Sequence, residues 1–288
     1  MPNKAPLKAH MNVARKPAWL KMSLQNGPQY AEVSSLVKQH DLHTICSSGK
    51  CPNITQCWNN RVATFMIGGD VCTRACKFCA TKSGKPNPLD LNEPIKIARS
   101  VKIMKLKHAV ITSVDRDDLQ DGGAKHWVKT INEIQKQAPE TTIEVLIPDF
   151  DNKTELLKLI VDANPHIIGH NIETVERITP NARSKATYRG SLDVLKKLGE
   201  MGAQTKSGLM LGLGETKEEV IQTLHDLYAV GVKRATIGQY LQPTKNHLEV
   251  VDYVTPEEFD EYGTIAKEIG FTHIFSAPMV RSSYMAEL

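Results

Sequence analysis

The six cysteines of this chain all fall between Cys46 and Cys79, in two triplets, Cys46-x4-Cys51-x5-Cys57 and Cys72-x3-Cys76-x2-Cys79. Three thiolates that can converge occupy three corners of a cubane iron–sulfur cluster and leave the fourth iron open to a small molecule or another ligand. Two triplets therefore point to two clusters, each one ligand short. Disulfides fit poorly, because they belong to oxidising compartments and to small domains lacking a core. A chain of 288 residues with 41% hydrophobic content can bury a full core, and its N-terminus shows no apolar run resembling a signal peptide. Zinc is the stronger competitor, since thiolates are its usual structural ligands, but two Cys3His sites need two nearby histidines. His40 and His43 precede the first triplet; none lies between the triplets, and the next after Cys79 is His108.

Composition bounds the partners. A net charge of +4, from 36 basic and 32 acidic residues, falls short of a dedicated nucleic-acid binder and suits an acidic protein partner. No stretch reaches the roughly 18 consecutive apolar residues of a membrane span. The segment before Glu32 holds Lys4, Lys8, Arg15, Lys16 and Lys21 and no acid. With one arginine, little serine and prolines at Pro2, Pro6 and Pro17, it reads as a cytoplasmic N-terminal arm rather than an organellar transit peptide.

These residues need a scaffold. From Ala63 the chain alternates short apolar runs with helical patterns, the signature of β/α units around a parallel sheet. Strands are expected at Ala63 to Asp70, His108 to Ser113, Thr142 to Leu146, His166 to His170, Gln204 to Leu211 and Arg234 to Tyr240. Helices are expected near Glu93 to Lys105, Gly123 to Gln137, Lys153 to Ala163, Ser191 to Met201, Lys217 to Val230 and Pro256 to Ile269, followed by a short apolar run, Thr272 to Phe275. Six units predict an α/β fold, a partial (β/α)6 TIM-type barrel open on one side, with its active site at the C-terminal strand ends. The second triplet begins just after the first strand, at that end. The expected division is an N-terminal arm over 1–62 with the first triplet, a barrel over 63–275 and a C-terminal segment over 276–288.

Cys72-Thr73-Arg74-Ala75-Cys76-Lys77-Phe78-Cys79 resembles the C-x3-C-x-aromatic-C signature of radical S-adenosylmethionine (SAM) enzymes. The first triplet, Arg281-Ser282-Ser283-Tyr284 and Lys16-Pro17-Ala18-Trp19-Leu20-Lys21 further resemble the lipoyl synthase family, so the resemblance runs from about Lys16 to Tyr284. It implies two [4Fe-4S] clusters and SAM. Cys72, Cys76 and Cys79 would hold the cluster whose fourth iron binds SAM, which an electron cleaves to a 5'-deoxyadenosyl radical. Cys46, Cys51 and Cys57, with Ser283 as fourth ligand, would hold an auxiliary cluster consumed as sulfur donor. The implied reaction places sulfur at C6 and C8 of an octanoyl chain amide-linked to a lysine of a carrier domain. Unactivated C–H bonds carry no acidic proton, so a radical route makes sense where a general base does not. The implied partners are octanoylated lipoyl carrier domains, an electron donor such as a ferredoxin or flavodoxin, and an iron–sulfur carrier for repair, with neither nucleic acid nor membrane.

Other cofactor contacts follow from position. Phe78 sits inside the motif; Thr112 and Ser113 end the second strand; Asn171 and Glu173 follow the fourth, where Glu173 could accept from ribose hydroxyls. Gly208 to Glu215 resembles the radical SAM segment that supports the adenine, and Gln239 and Leu241 end the sixth strand nearby. Arg183 and Lys206 are carboxylate-partner candidates. The acidic loop Asp115 to Gly123 lacks the ligand alternation of a calcium loop; the resemblance, which sets it near the SAM amino group, implies a polar lid. Lys96, Arg99, Lys102, Lys105 and Lys107 form a basic run that could meet an acidic carrier domain or simply face solvent. Two other classes compete: another auxiliary-cluster radical SAM enzyme, such as a methylthiotransferase or maturase, and a non-catalytic metal module.

Overall fold

The computed structural model describes residues 16–20, 27–39, 44, 46 and 53–283. Cys51, Tyr284 and most of the basic N-terminal segment lie outside them. The sheet strands are β1 (Val62–Ile67), β4 (His108–Ser113), β5 (Thr142–Leu146), β6 (Ile167–Gly169), β7 (Thr205–Leu211), β8 (Arg234–Gln239) and β9 (His273–Ser276). All pair parallel in that order, with Val62 opposite His108 and Arg234 opposite His273. The sheet therefore has seven strands, not six. The apolar run Thr272 to Phe275, too short to count as a unit with a following helix, closes it as β9. β1 and β9 are its edges, so the barrel stays open along one side.

The connecting helices are α3 (Glu93–Ile103), α4 (Ala124–Gln137), α5 (Thr154–Asp162), α6 (Thr179–Ala182), α7 (Tyr188–Glu200), α8 (Lys217–Ala229) and α9 (Pro256–Ile269). On α4 the buried Ala124, Trp127, Ile131 and Ile134 recur at the helical period and seat it on the sheet. Truncating the almost fully buried Trp127 to alanine would cost about 3–5 kcal/mol. Capping boxes start α8 at Thr216/Glu219 and α9 at Thr255/Glu258. Strand ends are trimmed relative to the sequence reading. The first expected strand stops at Ile67 because Gly68 and Gly69 turn left-handed, at φ 84° and 97°.

Two elements of the arm lie at the β1 edge, α1 (Pro28–Gln39) and α2 (Ile54–Asn59). Tyr30 stacks on Trp58 at 5.5 Å, and the Tyr30 amide donates to Asn59 Oδ1 at 2.9 Å. Arg61 pairs with Glu32. Cys46 is buried against the strand, its Sγ accepting the Thr64 amide at 3.4 Å. Across the opening, Asn53 Nδ2 donates to the Met279 carbonyl at 2.7 Å. Arm and C-terminal segment are thereby tied together.

Candidate functional site

The loop after β1 carries the second triplet. A two-residue ribbon, β2 (Val71–Cys72) beside β3 (Lys82–Ser83), anchors its base, and the Gly84 amide donates to the Cys72 carbonyl at 2.9 Å. The Cys79 amide turns back onto the Cys76 carbonyl at 3.1 Å, while His247 Nε2 bonds the Cys79 carbonyl at 2.9 Å. This winding places Cys72, Cys76 and Cys79 together on the wall of a cavity of about 240 Å³ at the C-terminal strand ends. Cys72 Sγ accepts from the amides of Arg74 at 3.4 Å and Asp115 at 3.3 Å. Burial pushes its thiol up to about 11, so metal binding must displace a proton there.

Among the described residues Cys72, Cys76 and Cys79 form no disulfide. Among the described residues no three Cys, His, Asp or Glu side chains gather closely enough for a single metal ion. A cubane asks for something different, three thiolates that each meet their own iron. The loop sets three thiols on one cavity wall, a donor set that would fit such a cluster, with polar groups beside them.

Those polar groups line the same cavity. Ser113 Oγ and Arg183 Nε are buried and have no hydrogen-bond partner among the described residues, a cost that a bound ligand would offset. Arg183 Nη1 is fixed by the Asn171 carbonyl at 3.1 Å and Ser191 Oγ at 2.9 Å. Thr112 lines the cavity too, with its hydroxyl 3.4 Å from the Leu146 carbonyl. Glu173 is held left-handed at φ 70° by bonds of its amide to Gly208 and its carbonyl to Met210, an unusual backbone for a non-glycine residue. Burial pushes its carboxyl up, with the charge of Arg183 opposing. Phe78, Asn171 and Glu173 separate this cavity from a second of about 210 Å³ that reaches Leu241, Val280 and Ser282.

Two residues expected to contact the cofactor have partners within the chain. Lys206 lies deep in the barrel, near the start of β7, where its Nζ sits 2.9 Å from both carboxylate oxygens of Glu144. Burial opposes the Glu144 carboxylate, but Lys206 outweighs it and holds that group below its usual range. Leu211 ends the strand five residues later, roughly 16 Å further along it at ~3.3 Å per residue, and Lys206 is not among the residues lining the cavity of the motif cysteines. Gln239 lines the second cavity, yet its amide nitrogen is spent on the carbonyls of Leu211, Tyr240 and Asp252 and its oxygen on the Val254 amide. It shapes the wall rather than binding through its amide.

Sequence reasoning missed Arg74, Asp149 and His170. Arg74 is buried among carboxylates, with Asp117 Oδ1 at 2.9 Å and Asp149 Oδ1 at 2.7 Å. His170 bridges the Ile147 carbonyl at 3.0 Å and Ser191 Oγ at 2.9 Å, and burial lowers it to about 4. Only Arg74 carried a signal, its place between two motif cysteines.

The C-terminal segment crosses β8 at Gly238, where an added Cβ would stand 2.1 Å from the Val280 carbonyl oxygen. Ser283 follows three residues on, and Met279, one residue before Val280, accepts from Asn53 of the arm. Cys57 and Cys46 belong to the same arm.

The Radical SAM superfamily model matches residues 66–227. The lipoyl synthase of Phocaeicola vulgatus is 56% identical over 277 residues, covering 96% of this chain and 98% of that protein. That of Bacteroides thetaiotaomicron is 57% identical over 273 residues, 95% of this chain and 97% of the relative. Among solved structures, Streptococcus suis SuiB bound to S-adenosylmethionine superposes with a TM-score of 0.59 at 9% identity, covering 85% of this chain and 60% of that one. Methylornithine synthase (PylB) gives 0.56 at 12%, covering 90% and 82%. At such identities the structures speak for the fold alone, a partial radical SAM barrel. The full-length relatives carry the assignment further: this chain belongs to the lipoyl synthase family of the radical SAM superfamily.

Proposed function

We propose that this chain inserts two sulfur atoms, at C6 and C8 of an octanoyl chain on a carrier-protein lysine, with Cys72, Cys76 and Cys79 holding the radical-generating [4Fe-4S] cluster and Cys46, Cys51, Cys57 and Ser283 holding the sulfur donor. When bound, that first cluster and SAM supply the radical that removes hydrogen from an unactivated C–H bond. Arg183 would offer its unpartnered Nε–H to the carboxylate of the cofactor, and Ser113 would offer its hydroxyl. Glu173, held in a left-handed backbone, would accept from the sugar hydroxyls, with Asn171 and Thr112 lining the same cavity. Phe78 stands between the two cavities, and Leu241 borders the second.

The division of labour follows from that arrangement. The arm, 1–62, and the segment 276–288 present the donor cluster at the barrel opening, and 63–275 presents the radical. The donor cluster is a substrate, because its sulfides leave in the product. The oxygen of Ser283, a harder donor than a thiolate, makes its iron the one released first. Restoring that cluster requires an iron–sulfur carrier protein, and reducing the other requires a ferredoxin- or flavodoxin-type donor. No helix among the described residues is long and apolar enough to cross a membrane; we place the enzyme in the cytoplasm with its carrier substrates.

The observation that carries this reading is the single cavity shared by three motif cysteines and the unpartnered Ser113 Oγ and Arg183 Nε. Its test is anaerobic incubation of cluster-reconstituted protein with SAM, a strong reductant and an octanoyl-lysyl peptide, followed by mass spectrometry. A gain of two sulfurs is expected, with no net change in hydrogen for the dithiol formed under reductant and loss of two hydrogens once it is oxidised to the cyclic disulfide. 5'-Deoxyadenosine without sulfur in the peptide would reopen the substrate assignment.

A further inference from the structure

We propose that Arg74 is a positioning residue for the radical-generating centre: it clamps the loop bearing Cys72, Cys76 and Cys79 through two bidentate carboxylate pairs and holds a positive charge beside those thiols. This rests on the assignment of the three cysteines as cluster ligands. Arg74 Nε and Nη2 each lie 2.9 Å from an oxygen of Asp117, and Nη1 and Nη2 lie 2.9 and 2.7 Å from the two oxygens of Asp149. Asp115 at 3.4 Å and Asp151 at 3.7 Å complete the ring. Only a planar guanidinium can serve two carboxylates in this forked manner, so lysine is no substitute.

The partners come from two other strand ends, Asp115 and Asp117 after β4 and Asp149 and Asp151 after β5. The second pair is delivered at a cost. Phe150, Asp151 and Asn152 all sit left-handed, at φ 46°, 53° and 59°, a run that L-residues avoid. Asp149 holds this turn through its own oxygens, accepting the Asp151 amide at 3.1 Å and the Asn152 amide at 2.7 Å. Strain of this kind persists where the surroundings over-determine it, and what this turn secures is the grip of Asp149 and Asp151 on Arg74.

Charge gives the clamp a second role. Among the described residues the cations paired with these four carboxylates are Arg74 and Lys185, whose Nζ lies 2.9 Å from Asp117, so the ring is already rich in negative charge before a thiolate-ligated cluster joins it. The clamp also fixes the Arg74 and Asp115 amides that donate to Cys72 Sγ. Nearby positive charge and N–H···S bonds both favour the reduced form of a cluster. Losing Arg74 removes one and loosens the other, and both changes make the cluster harder to reduce.

The test has two arms. In the metal-free chain, amide hydrogen exchange over 72–84 is expected to speed up at least tenfold in Arg74→Gln and in Arg74→Lys, while β4 and β5 keep wild-type protection. In the reconstituted chain, with Cys46, Cys51 and Cys57 changed to alanine, an EPR redox titration is expected to show a more negative midpoint in Arg74→Gln. In Arg74→Lys, which retains the charge, the midpoint is expected to stay closer to wild type. Wild-type exchange in both variants would overturn the clamp, and equal midpoints in wild type and Arg74→Gln would overturn the charge role. If β4 and β5 lose protection in Arg74→Gln, that variant has unfolded and Arg74→Lys decides alone. Full iron retention after Cys72, Cys76 and Cys79 are all changed to alanine would sink the cysteine assignment instead, leaving the exchange arm to judge the clamp.

Discussion

Gly238→Ala offers a way to separate the two halves of the reaction with one methyl group. Gly238 lies within β8, outside the positive-φ glycines, so alanine fits its backbone without strain. The obstacle is the C-terminal segment, since the new Cβ would stand 2.1 Å from the Val280 oxygen and 3.0 Å from its carbonyl carbon. Carbon and oxygen in contact keep roughly 3.3 Å apart, so something must yield by about 1 Å. β8 cannot, because Ile237 and Gln239 are buried on either side and the strand is paired on both edges. The segment moves, and Ser283 moves with it. Overpacking of this kind costs about 1–3 kcal/mol, and a misplacement of about 1 Å costs on the order of 100-fold in a reaction that depends on position. The expected result is SAM cleavage to 5'-deoxyadenosine within about twofold of wild type, iron reduced toward that of one cluster, and sulfur insertion down about 100-fold. Iron analysis and mass spectrometry of the peptide and nucleoside read all three. A wild-type ratio of sulfur inserted to 5'-deoxyadenosine formed would refute the idea that this crossing positions the donor.

Changing Cys46, Cys51 and Cys57 together to alanine is expected to abolish sulfur insertion while SAM cleavage continues, checked by the same mass spectrometry. Lys206→Met leaves Glu144 buried without its partner, for a loss of about 3–5 kcal/mol, a melting temperature lower by roughly 10 °C and an unchanged KM for SAM; a tenfold higher KM would return Lys206 to the cofactor. His170 gives a pH signature. Its folded ring resists protonation down to about 4 while the unfolded ring takes a proton near ~6.5, so the unfolded state binds more protons in between. Stability therefore falls as pH drops through that window, by about 3 kcal/mol at ~1.36 per unit. Urea midpoints of wild type and His170→Asn at several pH values check it: the variant loses this slope. If the basic run Lys96 to Lys107 docks an acidic carrier, raising salt will slow reaction of the carrier domain more than that of a free peptide.

Sequence patterning reached the strands that alternate cleanly with helices. β4 and β5 have the expected bounds because both are flanked by unambiguous loops and buried on two faces. It undercounted the sheet at β9, where four residues carry too little period to distinguish a strand from a tail. Motif spacing found the cysteines, whose chemistry is local in sequence. It could not find Asp149 or His170, whose meaning comes from partners 75 and 21 residues away. Lys206 misled for a geometric reason. A basic residue on a barrel strand is a ligand contact or a buried counter-charge according to its height, and height depends on where the strand ends.

The opening between β1 and β9 has one more consequence. Cys46 ties the arm to the β1 edge, and the Asn53 bond to Met279 carries the arm across to the C-terminal segment, the two pieces proposed to share the donor cluster. On the proposed reading each turnover would spend a group held from both sides of this opening, and the Asn53 bond to Met279 would be left to keep arm and segment together. A replacement would then enter through the open side of the sheet, between β1 and β9, without disturbing the loop that carries Cys72, Cys76 and Cys79.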